Sequence, residues 1–147
     1  MAVPFLMVLL MISGCGDVSK TDAEPFDPVK AAQVWNTADK TWDAEELEIL
    51  EGGKSLYRGR CAGCHQLMGT GSTTIGAPAL KGSAIARGSA DILITTVLFG
   101  RNSMPAFRMS LDDAGLAMIL SYVRNAWGND MQDVVQVSRV AAIRAGS

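Results

Sequence analysis

A helical pattern of apolar residues opens the central part of the chain. Asp43 and Glu46 have the spacing of a capping box. Apolar residues then follow at roughly helical spacing: Leu47, Leu50 and Tyr57. This predicts a helix that runs toward Cys61. The glycine pair Gly52-Gly53 weakens the helix intrinsically, and we expect Gly53 to let another helix approach closely.

Two further helices are predicted downstream. Residues 89–99 form an apolar segment with serine at its start, and Gly100 follows as a stop. Ser110 and Asp113 have the spacing of a second capping box, and Gly128 would end the helix that it opens. One apolar stripe supports this helix: Leu116, Ile119, Leu120, Val123 and Trp127.

The remaining segments predict loops and one short helix. Residues 69–88 are rich in Gly, Ser, Thr and Ala and contain Pro78, which favours a long loop, usually a functional feature. A second loop, residues 101–108, carries Met104. Residues 139–144 favour a short helix near the end of the chain. Without repeats, runs of strands or a glycine-rich phosphate-binding motif, the sequence predicts an all-α protein and no nucleic-acid partner.

The first fifteen residues have the features of a targeting segment. Residues 3–12 are almost wholly apolar, a run too short to cross a bilayer but suited to a signal peptide. The motif Ile12-Ser13-Gly14-Cys15 then resembles the bacterial lipobox, which predicts lipidation of Cys15 and a membrane-anchored protein. No Lys or Arg precedes the apolar run, which departs from the usual pattern. Ordinary cleavage, with Cys15 as a spare thiol, stays open as the alternative.

The 147 residues suffice for one modest domain with flanking segments. We predict a signal peptide over 1–14, a lipidated N-terminus and flexible tether over 15–40, the folded domain over 41–129 and an extension over 130–147. The tether prediction rests on the polar composition of residues 16–39, which need not pack.

The candidate chemistry lies at Cys61-Ala62-Gly63-Cys64-His65, the attachment signature of c-type haem. Two thiols separated by two residues on a helical turn face the same way, so each can add across one haem vinyl group. His65 is then carried under the iron. The same turn would build both the covalent attachment and the first axial ligand.

Three other uses of these residues are chemically possible. A thioredoxin-like dithiol needs a βαβ context that the sequence lacks. Structural zinc needs four ligands, whereas the chain has three cysteines and one histidine. A plain disulfide between Cys61 and Cys64 leaves His65 unexplained.

A second axial ligand is expected to be methionine, because His65 is the only histidine. Of the eight methionines, three fall in the signal peptide. Met68 is too close to His65 in sequence, and Met118 and Met131 lie within and after the last long helix. Met104 is favoured over Met109 because it lies in a loop between two helices and precedes Pro105. Met109 is expected to pack beside the helix start.

The chain resembles the class I cytochromes c over about residues 44–128. The matching pieces are Gly53–Tyr57, Cys61–His65, Gly76–Leu80, Met104–Phe107 and Tyr122–Asn129. The resemblance implies a small fold of three to five helices wrapped around one covalent haem c, with Gly53 meeting Tyr122 or a neighbour. It also implies that the carbonyl of Pro78 accepts a hydrogen bond from Nδ1 of the ligand histidine. Two of the pieces are most similar to cytochrome domains that accompany bacterial dehydrogenases and nitrite reductases.

The expected function is transfer of single electrons outside the cytoplasm, between redox partner proteins, with no substrate reaction. Two alternatives stay open: a haem c subunit of a larger dehydrogenase or reductase, and an open-site haem enzyme or gas sensor in which Met104 does not bind iron.

Charge is distributed unevenly along the chain. Residues 16–51 hold ten acids and three lysines, a net charge of −7, whereas residues 52–110 hold seven bases and one acid, a net charge of +6. Some of these bases are expected to neutralise the haem propionates. The others predict a basic rim that attracts an acidic redox partner.

Overall fold

The computed structural model describes residues 25–146, and the regular structure in this range is helical apart from two isolated antiparallel bridges. The helices are α1 (Pro28–Trp35), α2 (Ala44–Arg60), α3 (Ala62–His65), α4 (Ala90–Phe99), α5 (Asp113–Asn125) and α6 (Val137–Ala145), with a 3₁₀ turn at Ala126–Gly128. The all-α prediction is confirmed. Residues 25–146 form six helices where three to five were expected, because α1 and α6 lie outside the segment of about 44–128 that carries the resemblance. Cys15 and the predicted signal peptide lie outside the described residues.

Helices α2 and α5 cross at Gly53. A Cβ atom added to this glycine would lie 2.1 Å from the Met118 carbonyl oxygen and 2.9 Å from Cβ of Tyr122. The expected close approach is therefore confirmed, because no larger residue fits between the two backbones. The capping box of Asp43 and Glu46 at the start of α2 is present as well.

The main core lies between α2, α4, α5 and α6. Its fully buried members include Tyr57 of α2, Ile94 and Leu98 of α4, Leu116 and Leu120 of α5, and Val140 of α6. Four of the five stripe residues predicted for α5 are buried in it: Leu116, Ile119, Leu120 and Val123. Burying each of these side chains contributes about 1.5–3 kcal/mol relative to exposure.

The start and end of α5 differ from the prediction. Asp112 caps the helix by accepting a hydrogen bond of 2.7 Å from the Gly115 amide, while Ser110 is directed back toward the Phe107 carbonyl. The helix ends at Asn125, since Trp127 has a φ of 57° in the turn that follows. The predicted Ser110 and Asp113 capping box and the helical placement of Trp127 were therefore wrong.

The predicted tether differs from the structure over α1. Asp27 caps this helix, Ala31 is buried, and the helix packs with Trp42, Leu47 and Leu50 in a second small core. The expectation that residues up to 39 need not pack was wrong for this part, because Trp42 and the α2 residues offer α1 an apolar surface. The domain boundaries stay a prediction.

Candidate functional site

The cysteine motif occupies the junction between α2 and α3. The amides of Cys64 and His65 both donate to the Cys61 carbonyl, at 3.1 and 2.9 Å. Cys61 packs against the main core, and Cys64 is exposed. The motif therefore forms one tight turn at the end of a long helix.

Both cysteines are free thiols. Burial and, to a smaller extent, the charge of Cys64 raise the pKa of Cys61 to about 11. A thioredoxin-like dithiol needs a βαβ setting. The cysteine motif instead lies between two helices, α2 and α3, and the regular structure of residues 25–146 is helical apart from two isolated bridges. Within residues 25–146, no three His, Cys, Asp or Glu side chains are grouped so that they could hold a metal ion.

His65 is the buried polar residue of this turn, with 7% of its surface exposed. Its Nδ1 lies 2.9 Å from the carbonyl oxygen of Pro78. A carbonyl oxygen can only accept, so Nδ1 carries a proton, and in the neutral imidazole Nε2 then keeps its lone pair. Every buried side-chain N or O atom in residues 25–146 has a hydrogen-bond partner. Because the hydrogen bond of His65 involves Nδ1 and none involves Nε2, the Nε2 atom is accessible. The donor set and this tautomer fit a haem iron ligated through Nε2.

The Pro78 loop, defined as residues 66–82, holds that carbonyl beside His65. The Gly71 amide donates to the His65 carbonyl at 3.0 Å, and Ser72 and Ala77 exchange two hydrogen bonds of 2.8 and 2.9 Å. Gly71 has a φ of +72°, and a Cβ there would lie 2.5 Å from the Ala77 carbonyl oxygen. Glycine is required at this position because the loop folds directly back over it.

The Met104 loop, defined as residues 100–108, has the same construction. Arg101 and Met104 exchange two hydrogen bonds of 3.2 and 2.9 Å. Gly100 has a φ of +77°, and a Cβ there would lie 2.6 Å from the Met104 carbonyl oxygen. Met104 is partly buried and packs against the main core, as does Cys61. Met109, which was expected to pack, is 94% exposed.

Two residues to which the sequence reasoning assigned no role at the site support the Pro78 loop. Asn129 is 1% exposed; its Oδ1 accepts from the Gly82 amide at 2.8 Å, and its Nδ2 donates to the carbonyls of Leu80 and Val123. The buried hydroxyl of Tyr57 donates to the Gln66 carbonyl at 2.7 Å. Burial raises the Tyr57 pKa far above its usual range, so the hydroxyl remains a donor. Two sequence signals pointed to Asn129: it ends the matching piece Tyr122–Asn129, and it is a short amide side chain just after a helix end.

Comparison with known proteins identifies the family. Residues 48–123 match the family described as cytochrome C oxidase, cbb3-type, subunit III, and the chain belongs to this family of cytochromes c. Cytochrome c6 of Parathermosynechococcus lividus is 35% identical over 50% of this chain and 86% of its own length. The gluconate 2-dehydrogenase cytochrome c subunit of Pantoea cypripedii is 29% identical over 89% of this chain, which spans 30% of that relative's length.

A solved structure supports the fold. Cytochrome cL from Methylophaga aminisulfidivorans MPT has a TM-score of 0.50 and 22% identity, covering 82% of this chain and 83% of its own. The prediction of a class I cytochrome c fold is confirmed. The family to which the chain belongs consists of electron-transfer proteins that bind covalent haem c.

Proposed function

We propose that Cys61 and Cys64 form the thioether bonds to one haem c, and that His65 and Met104 are the axial ligands of its iron. The observation that carries this proposal is the hydrogen bond of 2.9 Å between Nδ1 of His65 and the Pro78 carbonyl. It leaves Nε2 for the metal and fixes the plane of the imidazole. Pro78 therefore orients the ligand without touching the iron.

The bound haem supplies a one-electron couple, and histidine with methionine ligation raises its reduction potential. The protein contributes rigidity. Cys61 and Met104 both pack against the main core. The attachment turn, defined as Cys61–His65, and the Met104 loop therefore share one support. A carrier with this arrangement exchanges electrons with little rearrangement of its ligands.

The direct test is a pyridine haemochrome assay with intact mass, on protein expressed with haem c maturation machinery. The mature protein should gain the mass of one haem, and the double variant C61A/C64A should gain none. The single variant M104A should keep the haem mass. Wild-type protein without a haem mass would contradict the proposal.

Met104 separates the carrier from an open-site enzyme or sensor. With sulfur on the iron, the ferric protein has a charge-transfer absorption band toward the red, and the ferrous protein binds carbon monoxide poorly. M104A should lose the band and bind carbon monoxide. A wild-type protein that already lacks the band would favour the open-site alternative.

The second candidate function is that of a haem c subunit in a larger complex. It is favoured by one relative, which is a cytochrome c subunit of gluconate 2-dehydrogenase. In that case the chain would carry electrons from a dehydrogenase bound to it. Copurification of the native protein from detergent-solubilised membranes tests this: a stable partner favours the subunit, and an isolated chain favours the free carrier.

We also propose that Cys15 carries lipid and holds the protein at the outer face of a bacterial membrane, in the periplasm or extracytoplasmic space. This rests on the lipobox-like motif and on the maturation of haem c outside the cytoplasm. Within residues 25–146, no helix combines the length and apolar character needed to cross a bilayer. The variant C15A should move from the membrane fraction to the soluble fraction; continued sedimentation with membranes would contradict lipid anchoring.

The partner proposed for the haem edge is an acidic redox protein. Six of the seven bases between residues 52 and 110 have exposed side chains: Arg58, Arg60, Lys81, Arg87, Arg101 and Arg108. The single acid of this segment, Asp91, forms an ion pair with Arg139, whose Nη2 lies 2.5 Å from its Oδ2. The electron-transfer rate with an acidic partner should therefore decline as ionic strength rises. A rate that does not decline would leave the steering role without support.

A further inference from the structure

Helix α6 lies beyond the family match and returns to the chain that leaves the Met104 loop. Val140 is fully buried in the main core, and Ile143 packs against it. At the end of the helix, Arg144 donates from Nη1 to the Arg108 carbonyl and from Nη2 to the Leu111 carbonyl at 2.9 Å. Its Nε lies 2.6 Å from Oδ1 of Asp113, which orients the guanidinium.

These contacts hold the exit of the Met104 loop from two sides. The Arg108 amide donates to the Leu98 carbonyl of α4 at 3.0 Å, while its carbonyl accepts from Arg144 of α6. The Arg108 side chain returns a bond of 3.1 Å to the Arg144 carbonyl. Arg108, four residues after Met104, is thus held by hydrogen bonds from both its amide and its carbonyl to two different helices.

We propose that Arg144 is a positioning residue for Met104: by fixing the Arg108 and Leu111 carbonyls, it keeps the methionine sulfur at the iron. This rests on the proposed ligand role of Met104. A thioether is a neutral ligand on a flexible side chain, so its occupancy depends on how well its loop is preorganised. Lysine cannot replace arginine here, because only the guanidinium fork reaches two carbonyls and a carboxylate together.

Arg139 provides a matched control on the same helix. It forms an equally close ion pair, with Nε 2.7 Å and Nη2 2.5 Å from the Asp91 carboxylate. That pair joins α6 to the first turn of α4 and makes no hydrogen bond to the Met104 loop. R139K and R144K therefore both weaken the attachment of α6, but only R144K releases the loop exit.

The experiment compares wild type, R144K, R139K and M104A as full-length holoproteins. For R144K we expect amide exchange at Arg108 and carbon monoxide binding by the ferrous protein to rise about tenfold, the factor for one lost charge-assisted hydrogen bond. The ferric charge-transfer band should weaken. R139K should match wild type in all three measurements.

The outcomes separate the two proposals. If M104A keeps the band, Met104 is not the ligand and the role of Arg144 falls with it. If M104A loses the band while R144K behaves as R139K does, the role of Arg144 alone is overturned. Should R144K yield no folded holoprotein, D113N replaces it, because it removes the negative charge that orients Arg144. The same three measurements then decide whether Arg144 positions Met104.

Discussion

The Pro78 loop and the Met104 loop are built alike but supported differently. Each has a two-residue bridge and a glycine of positive φ. A proline supplies the functional carbonyl in one loop and follows Met104 in the other. The Pro78 loop is held from within, by the wholly buried Asn129 and by the hydroxyl of Tyr57. The exit of the Met104 loop is held by Arg144, whose side chain is 21% exposed.

The difference indicates which of the two proposed ligands is held more securely. His65 belongs to the same turn as both cysteines, and the Pro78 carbonyl beside it lies in a loop with neutral, partly buried hydrogen bonds. Met104 reaches the site from a separate loop whose exit depends on charged groups near the surface. We therefore expect stress on the protein to release methionine before histidine.

The largest effect should come from Asn129→Ala. The change leaves the Gly82 amide and the carbonyls of Leu80 and Val123 without their side-chain partner. We expect a loss of about 3 kcal/mol in the free energy of unfolding, since each unsatisfied buried group costs about 1–3 kcal/mol. Urea denaturation of the holoprotein measures it. The exposed Asn36, which accepts one bond from the Trp42 amide, is the control, and N36A should cost far less. Equal losses would show that the Pro78 loop does not depend on Asn129.

An intermediate effect is expected from alanine at the two loop glycines. Gly71→Ala and Gly100→Ala each combine a positive φ with a backbone clash, at 2.5 and 2.6 Å. Each should cost about 2 kcal/mol in unfolding free energy. Only Gly100→Ala should raise carbon monoxide binding, because it displaces Met104.

Gly76 is the control for this pair. It has a φ of +69°, but a Cβ there meets nothing within 4 Å. Gly76→Ala should therefore cost only the backbone strain, about 1 kcal/mol. If Gly71→Ala and Gly76→Ala lose the same unfolding free energy, the close packing at Gly71 contributes nothing to stability.

The smallest effect concerns the exposed pair of Asp91 and Arg139. The hydrogen bond from Arg139 lowers the Asp91 pKa below its ordinary value of 3.8. Because the folded-state pKa is the lower one, the stabilisation is fully present above pH 3.8 and is lost as the pH falls through the folded-state value. Thermal melts of wild type and D91N should differ slightly near neutral pH and converge in acid and in high salt. A difference that persists in acid would contradict this assignment.

Local features of the fold were predictable because the interacting residues are neighbours in sequence. The Asp43 and Glu46 box spans four residues, and the turn of Cys61–His65 spans five. The start of α5 was harder, because Ser110 and Asp112 compete within three residues of each other. Asp112 is the cap in the structure. Ser110 instead belongs to the turn at the loop exit, where its amide donates to the Phe107 carbonyl. The packing of α1 was missed because its apolar partners lie on other segments.

The sequence alone determined the attachment turn, the identity of its histidine and the helical class, since these depend on residue types within about one helical turn. Only the tertiary structure showed what holds the two loops. Asn129 bonds Gly82 across 47 positions and Arg144 bonds Arg108 across 36. No sequence periodicity encodes such pairs, because they exist only once the crossing of α2 and α5 and the return of α6 have brought distant segments together.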